Sequence, residues 1–288
     1  MNIKNTPKKN LFNLVLGTAQ LDENYSLSKK GLNETELKKI ISLAKKNKNF
    51  FIDTALGYKN SETILSKFDL SNFKIITKFE GTKKNSIEEL LKSKKKLKIK
   101  KFYGVLFHDE KKLMRKSSKE FLNIVRSLKD KNITDKVGVS VYSLKNLNLI
   151  LKKFNLDLIQ MPANIFDQRF LDKKLLMLLK KKKIKIFIRS VFLKGVLINT
   201  KYISKKLSNY KLNFHSYENW IKKKKIFNKK YFCINFILEN KLNNIVIGFD
   251  NYCEYKEISN FMKEKYIKPP IFVKNQSDQN RLLRPDLW

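Results

Sequence analysis

Four ionisable residues follow apolar runs of the sequence, in the order Asp53, Tyr58, Lys78 and His108. Together they hold groups that can move a proton: a carboxylate, a phenol, an ammonium and an imidazole. A free tyrosine has a pKa of about 10 and is a poor acid at neutral pH. A neighbouring ammonium favours the phenolate and lowers that pKa. The four residues could therefore exchange a proton with a bound molecule if the fold brings them together.

Further polar residues stand at the ends of the apolar runs that follow, namely Ser140, Gln160, Asn164, Arg189 and Ser190. A buried polar group without a partner costs about 1–3 kcal/mol, so these side chains should bind one another or a ligand. Taken singly, each residue has an ordinary structural explanation, such as a turn cap or a half-buried aromatic. Because such residues recur at the ends of successive apolar runs, we favour a shared binding or catalytic site.

The polar residues terminate eight nearly continuous runs of Val, Ile, Leu and Phe, which are typical of strands buried on both faces of a parallel sheet. We predict strands at 14–21, 50–55, 73–79, 102–108, 137–143, 156–162, 185–192 and 244–250. Lysine-rich segments of helical period predict helices at 34–48, 61–67, 86–96, 118–129, 144–154, 171–182, 216–239 (broken) and 252–264. Thr35 or Asn33 is the candidate N-cap of the first helix.

Eight strands alternating with about eight helices predict an α/β fold, a (β/α)8 TIM barrel. The competing doubly wound sheet would need a glycine-rich turn after an early strand, and GxGxxG is absent. No linker divides the chain, so residues 1–288 are predicted to form a single domain. Its barrel core spans about 13–264, and a C-terminal tail covers 265–288.

The composition is that of a globular protein, with 42% hydrophobic residues and a formal net charge of +37. Such a charge could indicate nucleic-acid binding, but only six of the 63 basic residues are arginines, the better readers of phosphates and bases. The lysines are spread over most helices. We expect weak affinity for polyanions and no specific nucleic-acid partner.

Cysteine content and hydropathy indicate whether a metal site, a disulfide framework, a secretion signal or a membrane span is expected. Cys233 and Cys253 lack metal-ligand spacing, so we expect no metal site and no disulfide framework. The first residues carry charge without a following apolar segment, and no run of 18 apolar residues occurs. A soluble, cytoplasmic protein without a membrane partner is expected.

Several segments resemble the aldo-keto reductase family. FIDTALGYKNSE carries its Asp and Tyr, IITKF its lysine strand and VLFHD its histidine strand, while LGTAQL is similar to its opening strand. IQMPANIFDQR, RSVFLKGVL and IVIGFDNYCEYKEI resemble its last three strands, so the match runs from about Leu14 to Ile258. Any one fragment is weak evidence; four matching residues at consecutive strands are strong.

The resemblance implies an NAD(P)H-dependent oxidoreductase acting on a small aldehyde, ketone or sugar-derived carbonyl. Tyr58 would be the proton donor, Lys78 would tune it, Asp53 would hold the lysine, and His108 would orient the carbonyl or share the proton. The alternative, from a different class, is a catalytically silent barrel that binds a cofactor or sugar as a regulatory or assembly subunit.

The resemblance also implies a cofactor site, with NADP(H) as the family default. Its candidate residues are Gly17, Thr18, Ser140, Gln160, Asn164, Ser190, Phe192, Leu193, Gly195, Gly248, Asp250, Asn251 and Glu257. Ser140 and Gln160 would contact the carboxamide, with Asn164 a possible substitute amide. Ser190 to Gly195 and Leu197 would wrap the pyrophosphate.

The cofactor pattern has four departures. Val141 replaces a common Asn, Arg189 stands where many members stack an aromatic ring on the nicotinamide, and Ile258 replaces a usual Asn. Glu254 stands where an arginine often binds the 2′-phosphate, and its carboxylate would repel that group, so NAD(H) is possible. Arg189 could stack on the cofactor or bind an anionic substrate.

We expect the choice of substrate to depend on loops 22–33, 109–117 and 194–216 and on the C-terminal tail. The tail would close over the site or pack against the barrel base.

Overall fold

The eight predicted strands close into a barrel in which every strand is parallel to both neighbours, β8 pairing back with β1. The computed structural model describes residues 11–21, 32–81, 86–203, 205–273, 281–284 and 287–288. The strands are β1 Asn13–Gly17, β2 Phe51–Asp53, β3 Lys74–Phe79, β4 Gly104–Phe107, β5 Val137–Ser140, β6 Leu158–Pro162, β7 Lys185–Arg189 and β8 Asn244–Gly248. The predicted (β/α)8 barrel in a single domain is thereby confirmed.

Helices occupy the connections between strands. They are α1 Glu34–Lys46, α2 Ser61–Leu65, α3 Ser86–Lys96, α4 Glu110–Met114, α5 Ser118–Asp130, α6 Leu144–Lys153, α7 Lys173–Lys181, α8 Lys211–Lys223, α9 Lys229–Glu239 and α10 Tyr252–Ser259. The predicted break in the seventh helix is the gap between α8 and α9. Helix α4 was not predicted from the sequence, because one helical turn is too short to show periodicity.

Helix α1 illustrates how local chemistry sets these boundaries. Asn33, one of the two candidate caps, accepts a hydrogen bond from the Glu36 N–H at 2.9 Å, which satisfies a donor of the first turn. The apolar residues Leu37, Ile40 and Ala44 recur on one face and are buried. Their burial against the barrel gives the helix its stability, because an isolated helix of this length is marginal in water.

Two apolar layers make up the core. The larger lies between the strands and the surrounding helices. The smaller fills the inside of the barrel and consists of Val15, Phe51, Ile76, Leu106, Leu158, Phe187 and Val246. We call these seven residues the inner apolar layer. Because side chains alternate along a strand, the residue two positions further on also points into the barrel.

Part of the C-terminal tail packs on the domain, with Val273, Leu282 and Leu283 buried. The arginine that follows, Arg284, reaches the carboxyl ends of the strands, where its guanidinium carbon lies 4.1 Å from the centre of the Tyr142 ring. The end of the tail thus lies at the mouth of the barrel rather than at its base. Residues 22–31 and 274–280, within two segments expected to shape substrate choice, lie outside the described residues.

Within the described ranges, no helix is long and apolar enough to cross a membrane. The same residues contain no cluster of three or more His, Cys, Asp or Glu side chains that could hold a metal ion.

Candidate active site

A polar layer lies directly above the inner apolar layer, at the carboxyl ends of the strands. Each of the seven apolar residues is followed two positions later by a residue that lines one cavity of about 410 Å³. These residues are Gly17, Asp53, Lys78, His108, Gln160, Arg189 and Gly248. The alternation of the strands therefore determines which side chains face the cavity. Tyr58 joins them from the turn after β2.

Asp53 and Lys78 form a buried ion pair, with the Lys78 Nζ atom 2.6 Å from Asp53 Oδ2. The two residues are only 4% and 2% exposed. Lys78 also donates to the Thr54 carbonyl at 3.0 Å, and Gln160 Nε2 donates to the other carboxylate oxygen of Asp53 at 2.7 Å. Both charges are thus paired and hydrogen bonded, as a buried pair requires.

Tyr58 lies next to this pair. Its ring centre is 5.2 Å from Lys78 Nζ and 6.1 Å from the centre of the His108 ring, with the two rings at 80°. The position is fixed by a tight turn, in which the Tyr58 N–H donates to Ala55 O at 3.0 Å. Ser61, at the start of α2, fastens the turn to the barrel by donating to the Thr18 carbonyl at 2.8 Å. The four residues predicted from the sequence therefore meet at one wall of the cavity.

Burial governs the ionisation of these groups. It raises the pKa of Tyr58 above its usual value of 10, an effect reinforced by the Asp53 carboxylate. Burial therefore dominates over the lowering of the Tyr58 pKa that the sequence led us to expect from Lys78, whose ammonium is paired with Asp53 beside the ring. Desolvation also lowers the pKa of Lys78, against the attraction of Asp53. The pKa of His108 falls to about 4 through burial and the Lys78 charge, so the imidazole is neutral at pH 7.

One buried side-chain oxygen in this layer has no hydrogen-bond partner among the described residues. Gln160 Oε1 is buried, while the Nε2 atom of the same amide binds Asp53. An orphaned carbonyl oxygen facing a cavity can accept a hydrogen bond from the amide of a ligand. Ser140, on the neighbouring strand, lines the same cavity. These residues fit the carboxamide of a nicotinamide ring.

The segment after β7 follows an unusual backbone path. Ser190, Leu193 and Lys194 have positive φ angles of 60°, 47° and 55°, and Gly195 has 92°. Such angles are costly for residues other than glycine, at about 1–3 kcal/mol each, and concentrate at functional sites. Turns of this kind can direct free backbone N–H groups towards an anion, whereas the Leu193 and Gly195 N–H groups already donate to Ser190 O and Phe192 O at 2.9 Å. All of these residues except Leu193 line the cavity.

The N-terminus of α10 lies at the other side of the cavity and carries two carboxylates. Asn251 caps the helix by accepting from the Glu254 N–H at 3.0 Å. Glu254 in turn accepts from the Asp250 N–H at 3.1 Å, and Glu36 of α1 accepts from the Tyr252 N–H at 2.7 Å. Two of the backbone donors that would attract a phosphate at this helix start, the Asp250 and Tyr252 N–H groups, therefore already bind carboxylates.

The cavity includes nine of the thirteen predicted cofactor residues, namely Gly17, Thr18, Ser140, Gln160, Ser190, Phe192, Gly195, Gly248 and Asp250. Leu193 is buried in the core and Asn251 acts as the helix cap. Glu257 pairs with Lys230 at 2.6 Å.

Asn164, expected as a substitute amide for the cofactor, does not line the cavity. Its Oδ1 atom accepts from the Phe166 and Asp167 N–H groups, each at 2.8 Å, and its Nδ2 atom donates to Ser190 O at 2.9 Å. Asn164 thus holds the loop after β6 against the loop after β7.

Several lining residues were not assigned from the sequence: Gln20, Tyr142, Ile198 and Lys230. Tyr142 follows β5 by two positions, so the strand-end rule that found Ser140 could have included it. Lys230 had no sequence signal, because it is one lysine among dozens.

Comparison with known proteins agrees with this geometry. The sequence matches the model of the aldo/keto reductase family over residues 13–268. No curated protein sequence gives a match. A holo aldo-keto reductase from Bacillus halodurans superposes with a TM-score of 0.64 at 14% identity, covering 95% of this chain and 91% of that chain. A glycerol dehydrogenase from Gluconobacter oxydans superposes with a TM-score of 0.63 at 16% identity, covering 95% of this chain and 90% of that chain. An aldo/keto reductase from Brucella melitensis superposes with a TM-score of 0.58 at 18% identity, covering 95% of this chain and 93% of that chain.

These structural likenesses, all below 25% identity, show the fold, whereas the family match covers nearly the whole barrel from β1 to beyond α10. Because that match extends over far more than half of the chain, the protein belongs to the aldo/keto reductase family of NAD(P)H-dependent oxidoreductases.

Proposed function

We propose that the protein reduces a small aldehyde, ketone or sugar-derived carbonyl with Tyr58 as the proton donor. The observation that carries this proposal is the buried Asp53–Lys78 pair beside Tyr58, with His108 on the same cavity wall. An ion pair this deeply buried is costly to desolvate and is weak evidence of a stabilising role. Its place next to a phenol in a cavity supports a catalytic one.

The residues that would hold the cofactor are those of the cavity's polar layer and of the segment after β7. Gln160 and Ser140 would bind the carboxamide, and the backbone of 190–195 would bind the pyrophosphate. When bound, the nicotinamide supplies the hydride that reduces the carbonyl carbon.

The chain itself supplies the proton and the electrostatic environment. A raised pKa keeps the Tyr58 phenol protonated at neutral pH, so its O–H can donate to the oxygen of the substrate. The phenolate left behind is stabilised by the Lys78 ammonium, which Asp53 and the Thr54 carbonyl hold in place. Neutral His108 can donate a second hydrogen bond to the same oxygen.

The test is steady-state reduction of a panel of aldehydes, ketones and sugars by the wild-type protein and by Tyr58→Phe. We expect kcat to fall about 10²- to 10⁴-fold in the variant, the range of general acid catalysis. NADH and NADPH affinities, measured by fluorescence titration, should be unchanged. A wild-type protein that binds the cofactor but reduces nothing would instead support a silent regulatory barrel. Binding of neither cofactor would overturn the proposal.

We propose further that the protein prefers NADH to NADPH, in contrast to the family default. In the family the 2′-phosphate lies near the start of the last helix, where Glu254 and Glu36 bind the backbone donors in this chain. A carboxylate there can accept from a ribose 2′-OH but repels a phosphate. Lys256, the nearest basic residue along the helix, is exposed.

The fluorescence titrations also test this preference. Glu254→Gln should raise NADPH affinity relative to NADH, with the exposed Glu88→Gln of α3 as a matched control. Tighter binding of NADPH than of NADH by the wild-type protein would contradict the preference.

A further inference from the structure

Arg189 belongs to the polar layer that faces the cavity. It ends β7, two positions after Phe187 of the inner apolar layer, and is half-buried. Its Nη2 atom donates to the Val141 carbonyl at 2.8 Å and its Nη1 atom to Ser190 Oγ at 3.4 Å. The guanidinium carbon lies 3.7 Å from the centre of the Tyr142 ring. Backbone and ring contacts thus hold the side chain in one orientation at the cavity wall.

Tyr142 itself is held firmly. Glu110, a buried carboxylate of α4, accepts from the Tyr142 N–H at 3.0 Å and from the Ser143 N–H at 3.1 Å. Arg284 from the tail contacts the same ring. Two guanidiniums therefore share one aromatic ring on the side of the cavity formed by β5 and β7.

Within the described ranges, the positive charge of Arg189 is not paired with a carboxylate. In the described part of the chain its hydrogen-bond acceptors are a carbonyl and a hydroxyl, and no carboxylate forms an ion pair with it. Asp53, the acid of the polar layer, already binds Lys78 and Gln160. A guanidinium has five N–H donors, and two are used here. The charge also acts on the catalytic groups: burial dominates their pKa shifts, and Arg189 opposes the rise for Tyr58 and adds to the lowering for Lys78 and His108.

We propose that the carbonyl substrate of this protein carries a carboxylate, which Arg189 binds while the carbonyl faces Tyr58. The inference rests on the proposed function and adds to it a substrate class. A planar guanidinium matches a carboxylate in a two-point hydrogen-bonded pair, and such charge-assisted bonds are the strong ones. A cavity of about 410 Å³ that must also admit a nicotinamide suits a small acid.

Two other roles for Arg189 predict different behaviour. A structural clamp between β5 and β7, through the Val141 carbonyl, would affect stability and all substrates alike. A cofactor ligand would affect NADH affinity. Only a substrate carboxylate makes the effect depend on the substrate.

The experiment compares 4-oxobutanoate with butanal, which has the same chain length without the carboxylate. For the wild-type protein we expect kcat/KM to be at least about 10-fold higher with 4-oxobutanoate, a difference typical of one charge-assisted pair. Arg189→Gln should lower kcat/KM for 4-oxobutanoate about 10- to 100-fold more than it lowers kcat/KM for butanal. Arg126→Gln, which removes an exposed arginine of α5, is the control.

D-Glyceraldehyde 3-phosphate and D-glyceraldehyde form a second pair, in which the anion is a phosphate. A larger preference within this pair than within the first would overturn the carboxylate assignment. Equal use of 4-oxobutanoate and butanal would overturn it as well, and so would a loss of NADH affinity in Arg189→Gln.

Calorimetric titration with succinate gives a readout independent of turnover. We expect binding to the wild-type protein and to Arg126→Gln, and at least about 10-fold weaker binding to Arg189→Gln. Succinate binding together with no reduction of any aldehyde would reject the proposed function while supporting the carboxylate site. Reduction of butanal with no binding of succinate would reject the site and leave the proposed function standing.

Discussion

At the scale of single residues, the site depends on Lys78, a lysine whose side chain is buried. Lys78 and Asp53 each remain charged at a buried position because the other is there. Removing one partner leaves an unpaired buried charge, whereas removing both leaves a polar or apolar pocket. The ion pair with Asp53 also holds the Lys78 ammonium next to the Tyr58 ring. Stability and activity should therefore respond differently to single and double substitutions.

We predict that Lys78→Met lowers kcat at least about 100-fold and lowers the free energy of unfolding by about 3–5 kcal/mol. The double variant Asp53→Asn/Lys78→Met should recover much of the stability and none of the activity. Urea unfolding and steady-state kinetics measure the two effects. Lys174→Met on α7, where the lysine is exposed, is the control. A single variant as active as the wild type would contradict the role of Lys78.

We predict that His108 makes stability depend on pH in the weakly acidic range. Its pKa is about 4 in the folded protein and near the ordinary value of 6.5 in the unfolded chain. Between these values the unfolded state binds more protons at this site, so stability falls as the pH falls from about 6.5 towards 4. His108→Gln should lose less unfolding free energy between pH 7 and pH 5 than the wild type. His215→Gln, which alters the exposed second histidine, is the control; identical pH dependence in all three proteins would refute the prediction.

At the scale of elements, side-chain caps decide where helices start. Ser117 accepts from the Glu120 N–H at 3.1 Å, and the Glu120 carboxylate accepts from the Ser117 N–H at 2.7 Å. This reciprocal capping box begins α5, whose residues Phe121 and Leu128 are buried. The helix lies outside the barrel, so its cap contributes to stability without touching the cavity.

Ser117→Ala should lower the free energy of unfolding by about 1 kcal/mol, the usual effect of losing an N-cap. Chemical denaturation measures the change, and kcat/KM at 25 °C should stay unchanged. Ser118→Ala, one residue later and exposed, should have little effect on stability because that side chain caps nothing. Equal destabilisation by the two variants would show that the cap is not the cause.

At the scale of the whole molecule, the net charge of +37 sets its general interactions. Lysines distributed over many helices attract polyanions without selecting among them, and such attraction is screened by salt. The charge determines neither the fold nor the reaction.

We predict that the protein binds heparin and duplex DNA at about 50 mM salt and is released by a few hundred millimolar, with no preference among DNA sequences. Salt-gradient elution and competition between unrelated duplexes provide the measurement. Sequence-selective binding that survives high salt would instead establish a nucleic-acid partner.

Much of this architecture follows from local sequence. The eight apolar runs predict the eight strands because a strand buried on both faces needs apolar side chains throughout. The five-residue spacing of Asp53 and Tyr58, and a lysine after the apolar residues of β3, predict the catalytic wall. The predicted ends of β3 and β6 agree with the structure, and the other six were predicted too far along, as at 14–21. Loop residues at the barrel mouth continue the pattern there after pairing stops.

The sequence by itself thus determined the barrel and predicted both the catalytic quartet and a weak 2′-phosphate site at Glu254. Only the tertiary structure showed that Gln160 and Asp53, 107 residues apart, share a hydrogen bond, and that Arg284 reaches the ring that also stacks on Arg189. The physical reason is that closing the barrel brings residues of distant strands, and of the tail, to one edge. Local sequence predicts which side chains point inward, but which of them touch depends on how the strands are staggered around the ring.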